Sequence, residues 1–274
     1  MGGVGALATY FVCATPRSGS TLLCEALADT DRAGRPAEYF EALRGTDLPR
    51  QPQEYFDVLT PELERLLPPT RDRPAPELAG AATYADYLDW VREQATTANG
   101  VLGAKLMWGY LGELVARLRE VGFDGVGPLG VVDAAFPGGR YVQVLRRGKV
   151  EQAVSLWTAI QTQSWRAGDG DHQREPVFHH GAIEHLASRL REQEQAWTDL
   201  FAEAGVTPLV VVYEELVADW EATLRRVLRF VGVEGADTLA LPPPPLRRQS
   251  NGRSAEWVER YVLEVRGAAE ADVA

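Results

Sequence analysis

Four short apolar runs constrain this chain most: Tyr10–Ala14, Val101–Leu106, Tyr141–Leu145 and Pro208–Tyr213, with helical patterns between and after them. Short runs with no polar alternation read as strands buried on both faces. Strands that alternate with helices imply an α/β fold with a central, mostly parallel sheet flanked by helices. The clearest helix is Val150–Trp165, where Val150, Ala153, Val154, Trp157 and Ile160 form one apolar stripe. A second covers roughly His179–Ala204, a third Glu215–Val231, and a short one lies near Ser254–Val265. Three segments read as irregular: proline-rich Leu67–Leu78, polar Ala167–Pro176 (a mobile loop), and Leu241–Gln249, a rigid extended connection. None of them separates self-sufficient cores, so residues 1–274 are expected to form a single domain.

The net charge of −11 argues against a nucleic-acid binder, which normally carries a basic stripe. It leaves room for an anionic ligand, because local cations can dominate one cleft. The only cysteines, Cys13 and Cys24, fall in apolar patterns and read as buried, reduced thiols, which favours the cytoplasm. The start MGGVGALATYFVCA lacks the basic residues of a secretion signal and is expected to be a strand. No apolar stretch is long enough to span a membrane.

The first strand runs straight into Thr15–Leu23, TPRSGSTLL, and then into a helix. In open α/β sheets, ligands bind beyond the carboxyl ends of the strands, at helix N-termini. Gly19 permits a tight turn and close backbone approach. The N–H groups from about Ser18 to Leu22 are expected to converge, backed by the positive end of the helix dipole. Ser18, Ser20 and Thr21 add hydroxyls, and Arg17 adds a charged fork suited to phosphate or sulfate oxygens. The loop therefore reads as a site for a tetrahedral anion. The competing reading is ordinary helix capping, for which Ser and Thr are favoured anyway. The loop is not a Walker A motif, since its lysine is absent.

Further stretches carry a resemblance: AGRPAEYFEAL at Ala33–Leu43, GAKLMW at Gly103–Trp108, YVQVLRRGKVEQAVSLWTAIQTQSW at Tyr141–Trp165 and SAEWVERY at Ser254–Tyr261. With PRSGSTLLCEAL they resemble, in order and over nearly the whole chain, the trehalose 2-sulfotransferase family. These enzymes use 3′-phosphoadenosine-5′-phosphosulfate (PAPS) as sulfuryl donor and release adenosine 3′,5′-bisphosphate (PAP). The resemblance implies a sulfotransferase fold related to P-loop nucleotide kinases, working as a homodimer without a metal. It places the donor's 5′ end on Arg17, Ser18, Gly19, Ser20 and Thr21. It places the 3′-phosphate on Arg146, Arg147 and Ser155, and the late basic loop over the nucleotide on Arg247, Arg248 and Arg253. One departure is Gly148, where relatives often carry an acidic residue; Lys149 follows it.

The same resemblance makes Glu38 the general base, and burial beside Tyr39 and Phe40 is expected to suit it to that role. Tyr39, Lys105 and Trp108 are expected on the acceptor side, with Lys105 near the sulfuryl group and Trp108 stacked on a sugar face or packed in the core. His172, His179, His180 and His185 show no metal-ligand spacing, although the Ala167–His180 segment is a candidate cover for the acceptor. The expected reaction is sulfuryl transfer to a hydroxyl of a small molecule. The aromatic residues Tyr55, Phe56, Tyr84, Tyr87 and Trp90 suit either a large acceptor, such as a glycoside, glycolipid or other secondary metabolite, or a hydrophobic core. Two other readings remain at this point: a metal-dependent, kinase-like phosphotransferase, and a catalytically inactive nucleotide-binding module.

Overall fold

The computed structural model describes residues 8–43, 50–70, 78, 80–165, 174–244 and 252–271. Four strands form one parallel sheet in the order β2-β1-β3-β4: β1 Ala8–Ala14, β2 Val101–Met107, β3 Gly139–Leu145 and β4 Leu209–Val212. Each expected strand is present, within about two residues at its ends. The helices are α1 Ser20–Ala28, α2 Pro61–Leu66, α3 Tyr84–Ala95, α4 Trp108–Glu120, α5 Gly127–Ala135, α6 Lys149–Thr162, α7 His180–Glu203, α8 Tyr213–Ala218, α9 Trp220–Val231 and α10 Gly252–Ala271. The expected helix Glu215–Val231 is broken at Asp219, which leaves helical geometry and accepts a hydrogen bond from Ala222 N at 3.3 Å, capping α9.

The chain falls into two compact units. The first draws on residues 1–49, 73–147 and 193–244 and contains the whole sheet. Its core is built from strand residues such as Tyr10, Phe11, Leu106, Val142 and Val144, covered by Leu23, Leu27, Leu114, Trp197 and Leu228 from helices. All of β2 and nearly all of β1 are buried, as strands covered on both faces must be. The second unit draws on residues 50–72, 148–192 and 245–274 and is helical. Its core centres on Trp157, with Phe56, Leu186, Leu190, Trp257 and Tyr261. Buried Gln161 donates to the Val177 carbonyl at 3.0 Å and accepts from the Val177 N–H at 2.9 Å, so its amide is satisfied. The long helix α7 places Ile183, Leu186 and Leu190 in the second core and Trp197, Leu200 and Phe201 in the first.

The sheet order puts the topological switch at β1, flanked by β2 on one side and β3 on the other. The register pairs Ala14 with Met107 and with Val144, and Leu145 with Val212. The chain therefore leaves all four strands at one edge, which collects Thr15–Gly19, Trp108, Arg146 and Tyr213.

An irregular segment is bound alongside β2 and follows α1. Tyr10 Oη donates to the Ala33 carbonyl at 2.5 Å, and its ring lies where a Cβ on Gly103 would stand, 2.6 Å from that oxygen. Gly34 donates to Thr97 Oγ1 at 3.1 Å, Arg35 N to the Ala95 carbonyl at 2.9 Å, and Lys105 N to the Ala37 carbonyl at 2.9 Å. Gly34 has φ +69°, and a Cβ there would stand 2.4 Å from the backbone nitrogen of Gly103, which has no freedom to yield. Gly34→Ala is thus expected to lower the unfolding free energy by about 2–5 kcal/mol, from left-handed strain plus overpacking. Gly80, at φ +78° with open space around it, separates the two effects. Gly80→Ala is expected to cost only about 1–2 kcal/mol in urea titrations. Equal losses would show that the Gly34–Gly103 contact is not tight.

Candidate active site

The loop between β1 and α1 is held in an unusual backbone conformation. Ser18 N donates to the Thr15 carbonyl at 3.3 Å, closing a turn. Arg17 has φ +59° and Gly19 has φ +91°. A non-glycine residue in the left-handed region costs about 1–2 kcal/mol, and such strain collects at ligand sites. Helix α1 starts with Gly19 as its N-cap, and no side chain caps it. The serines therefore do not serve as helix caps here. Ser18 is fully buried and its Oγ has no hydrogen-bond partner. Closely spaced left-handed residues, uncapped N–H groups and a buried hydroxyl without a partner are features that suit this loop, hereafter the cradle, to anion binding.

Two residues from neighbouring strand ends brace this loop. Arg146, directly after β3, donates from Nη1 to the Arg17 carbonyl at 2.9 Å. Its guanidinium also lies 4.7 Å from the centre of the Tyr213 ring. Tyr213 opens α8 after β4, and a Cβ on Gly19 would stand 2.3 Å from its Cδ2. Gly19 is thus required twice, by its φ and by the ring beneath it. Tyr213 is the residue that sequence reasoning missed. Its signal was present in VVYEEL, an aromatic residue directly after a strand, at the edge where this fold binds ligands. Arg147 turns elsewhere: its N–H meets both oxygens of Glu214 at 3.1 Å, and its exposed guanidinium pairs with Glu215.

A carboxylate stands at the other flank of the loop. Lys105 lies on β2, only 4% exposed, and its Nζ is 2.6 Å from Glu38 Oε1. The same Nζ donates to Thr21 Oγ1 at 3.0 Å. Glu38 is therefore not set in an apolar pocket beside Tyr39 and Phe40. Phe40 is buried, but the Glu38 side chain is 33% exposed and paired with an ammonium. The Tyr39 hydroxyl donates to the Arg35 carbonyl at 2.7 Å, while its own carbonyl accepts from Tyr87 Oη at 2.5 Å. Burial raises the Tyr39 phenol above its ordinary range, against a lowering by Arg35. Cys24 lies close by on α1. Burial pushes its thiol up to about 12, with Lys105 opposing and Glu38 adding to the rise, so it stays protonated and unreactive at neutral pH. Trp108 starts α4 and packs edge-on against buried Trp197 at 5.3 Å, which is a core contact. Tyr87 and Phe56 are buried as well, so the aromatic residues that follow Glu41 serve packing in good part.

In the second unit, Ser155 is half-buried on α6, and Gly148 and Lys149 stand at the start of that helix. Lys149 Nζ donates to Gln152 Oε1 at 3.1 Å. Arg253 is exposed on α10, while Arg247 and Arg248 lie outside the described residues, as does His172. The remaining histidines have structural partners. His179 Nδ1 accepts from Ala182 N at 3.0 Å, His180 stacks on Tyr261 at 4.7 Å, and His185 stacks on Phe56 at 5.4 Å. Among the described residues, no group of His, Cys, Asp or Glu could hold a metal ion, and no helix is long and apolar enough to cross a membrane.

Comparison with known proteins gives this arrangement a context. The family model for Stf0 sulphotransferase matches residues 9–264. A protein of Mycobacterium tuberculosis named trehalose 2-sulfotransferase is 39% identical over 265 residues, covering 94% of this chain and 96% of that protein. One of the same name from Mycolicibacterium smegmatis is 40% identical over 257 residues, covering 92% and 93%. A solved sulfotransferase structure from Alicyclobacillus acidocaldarius has a TM-score of 0.47 at 14% identity, over 94% of this chain and 95% of that one. The family match takes in the cradle, the Glu38 segment and residues of both compact units, so this chain belongs to the Stf0 sulphotransferase family and is an enzyme of sulfuryl transfer.

Proposed function

We propose that the enzyme moves a sulfuryl group from PAPS to a hydroxyl of a sugar or sugar-bearing small molecule, with Glu38 as general base. The observation that carries this reading is the single ammonium, Lys105 Nζ, in contact with both Glu38 and Thr21. It sets a carboxylate next to a cradle shaped for a tetrahedral anion, as in-line transfer between two oxygens requires. The sugar acceptor is supported by the names of the two mycobacterial relatives. PAPS is supported by the family and by the cradle's chemistry, since the loop lacks the lysine of a magnesium-nucleotide site.

In this reading Arg17, Ser18, Gly19, Ser20 and Thr21 grip the donor's 5′ end, and the buried Ser18 hydroxyl gains the acceptor oxygen it lacks. Arg17 and the loop amides neutralise charge that develops on the leaving phosphate. Arg146, Arg147 and Ser155 are the proposed ligands of the 3′-phosphate, Arg147 on giving up its exposed pairing with Glu215. Arg247 and Arg248 are proposed to cover the nucleotide. Glu38 takes the proton of the acceptor hydroxyl, and Tyr39, Lys105 and Trp108 are proposed on the acceptor side. We further propose that residues 1–274 act as one sulfotransferase domain, because the family match spans both units. A cytoplasmic homodimer is the proposed working form, in keeping with two free, buried cysteines.

A screen of sugar and glycolipid acceptors with sulfur-labelled PAPS tests the reading directly. Transfer is expected to proceed in the presence of EDTA, and MgATP is expected to give no phosphorylated product; the reverse pattern would favour a kinase-like enzyme. Arg17→Ala is expected to lower kcat/KM by about 10²–10³-fold, the usual loss for one preorganised charge-stabilising donor. Glu38→Gln is expected to keep PAP binding in calorimetry while kcat falls by about 10²–10⁴-fold. Unchanged turnover in Glu38→Gln would remove Glu38 from the mechanism.

A further inference from the structure

Lys105 is a charged side chain in a place where charge is costly. It is 4% exposed on an edge strand, among Cys24, Tyr110 and the residues of α1. Its carbonyl accepts from Tyr110 Oη at 3.0 Å and its N–H is spent on Ala37, so the backbone at this position is fixed. The ammonium has two partners here, Glu38 Oε1 at 2.6 Å and Thr21 Oγ1 at 3.0 Å. One belongs to the acceptor side of the proposed reaction, the other to the donor cradle. Because Thr21 accepts from Lys105, its own hydroxyl proton is free to point toward an anion in the cradle.

We propose that Lys105 is a positioning residue that couples the two halves of the reaction, so that the protonation of Glu38 strengthens the enzyme's hold on the donor's leaving phosphate. This rests on the function proposed above. In the resting site the Glu38 carboxylate neutralises the Lys105 charge. During transfer the acceptor O–H bond breaks and its proton passes to Glu38. The acceptor oxygen forms a bond to sulfur, and the bond between sulfur and the 5′-phosphate oxygen breaks, leaving its electron pair on the phosphate. Glu38 is then neutral, and the Lys105 charge stands uncompensated beside Thr21 while negative charge grows on the group that Thr21 helps to hold. In so dry a place the loss of one counter-charge is felt strongly. The cation thus acts on the leaving group when the proton moves, rather than in the ground state, which is the condition for raising kcat.

Coupling of this kind is reciprocal and measurable without turnover. Glu38→Gln imitates the protonated carboxyl. Calorimetry with PAP and no acceptor is expected to show it binding at least about fivefold more tightly than the natural enzyme, within the usual range of site-to-site coupling. Lys105→Met is expected to bind PAP more weakly, and Glu38→Gln combined with Lys105→Met is expected to lose the gain entirely. With a merely structural lysine, any tightening in Glu38→Gln would come from the lost negative charge alone and would persist in the double variant. If the natural enzyme binds PAP and Glu38→Gln binds it no more tightly, the coupling is wrong and the function stands; if the natural enzyme does not bind PAP, the function itself falls. Should Lys105→Met fail to fold, Thr21→Val in the Glu38→Gln background replaces it: loss of the gain supports the relay through Thr21, and retention overturns it.

Discussion

A nearly buried ammonium decides how the candidate active site is assembled. Placing Lys105 in the interior side of β2 carries a desolvation penalty of several kcal/mol, tolerable only if its charge and protons find partners. Glu38 supplies the charge and Thr21 the second hydrogen bond. Three otherwise separate pieces of chain are thereby tied together: the edge strand, the start of α1, and an irregular segment that leads to no strand of its own. The same residue holds that segment by its backbone, through the Ala37 carbonyl. Removing Glu38 would leave the Lys105 charge in a dry place with Thr21 as its remaining partner in this group.

Beside this pair, the cradle is kept open by strain that its neighbours sustain. Arg17 occupies a left-handed conformation, and its carbonyl is grasped by Arg146. Tyr213 fills the space beneath Gly19 so closely that no side chain could replace the glycine hydrogen. Arg146 lies across that same ring, so β1, β3 and β4 each contribute one part of the support. On the proposed reading, preorganisation of this sort spares the backbone donors any rearrangement on binding an anion. The buried Ser18 hydroxyl, which has no hydrogen-bond partner, adds a desolvation penalty to that strain.

Much of the fold was legible because buried parallel strands write themselves as unbroken apolar runs, and all four were found with close boundaries. The helix after β4 was read as continuous because Leu216, Leu224, Val227 and Val231 keep an apolar spacing across Asp219; only the capping bond to Ala222 reveals the break. The loop was legible from its chemistry, since Arg, Gly and three hydroxyl residues between strand and helix have few other uses. Glu38 was not. Nothing in its spacing singles it out among 39 acidic residues, and it came into view only through a family resemblance. Its partner Lys105 sits 67 positions away by sequence number, and the two meet because the segment before Glu38 binds alongside β2, with Lys105 N donating to the Ala37 carbonyl. Tyr213 was missed although VVYEEL sets an aromatic residue directly after a strand, because the glycine that its ring supports, Gly19, lies at the other end of the sheet's sequence and only the fold brings the two together.

The charge of the molecule follows the same division between local and global. A chain with a formal net charge of −11 is a poor attractor of anions at long range. Beyond roughly 8–10 Å, however, exposed charges are screened at physiological salt, so the acidic exterior has little influence on a sheltered cradle. On the proposed reading, what acts there is the set of groups at the strand ends: Arg17, Arg146 and the uncapped N-terminus of α1. The neighbouring carboxylates are tied up in turn, Glu38 with Lys105, and Glu214 and Glu215 with Arg147. On the proposed reading, the pairing of these three acids lets an acidic protein hold an anion at this loop, and net charge alone would have pointed the other way.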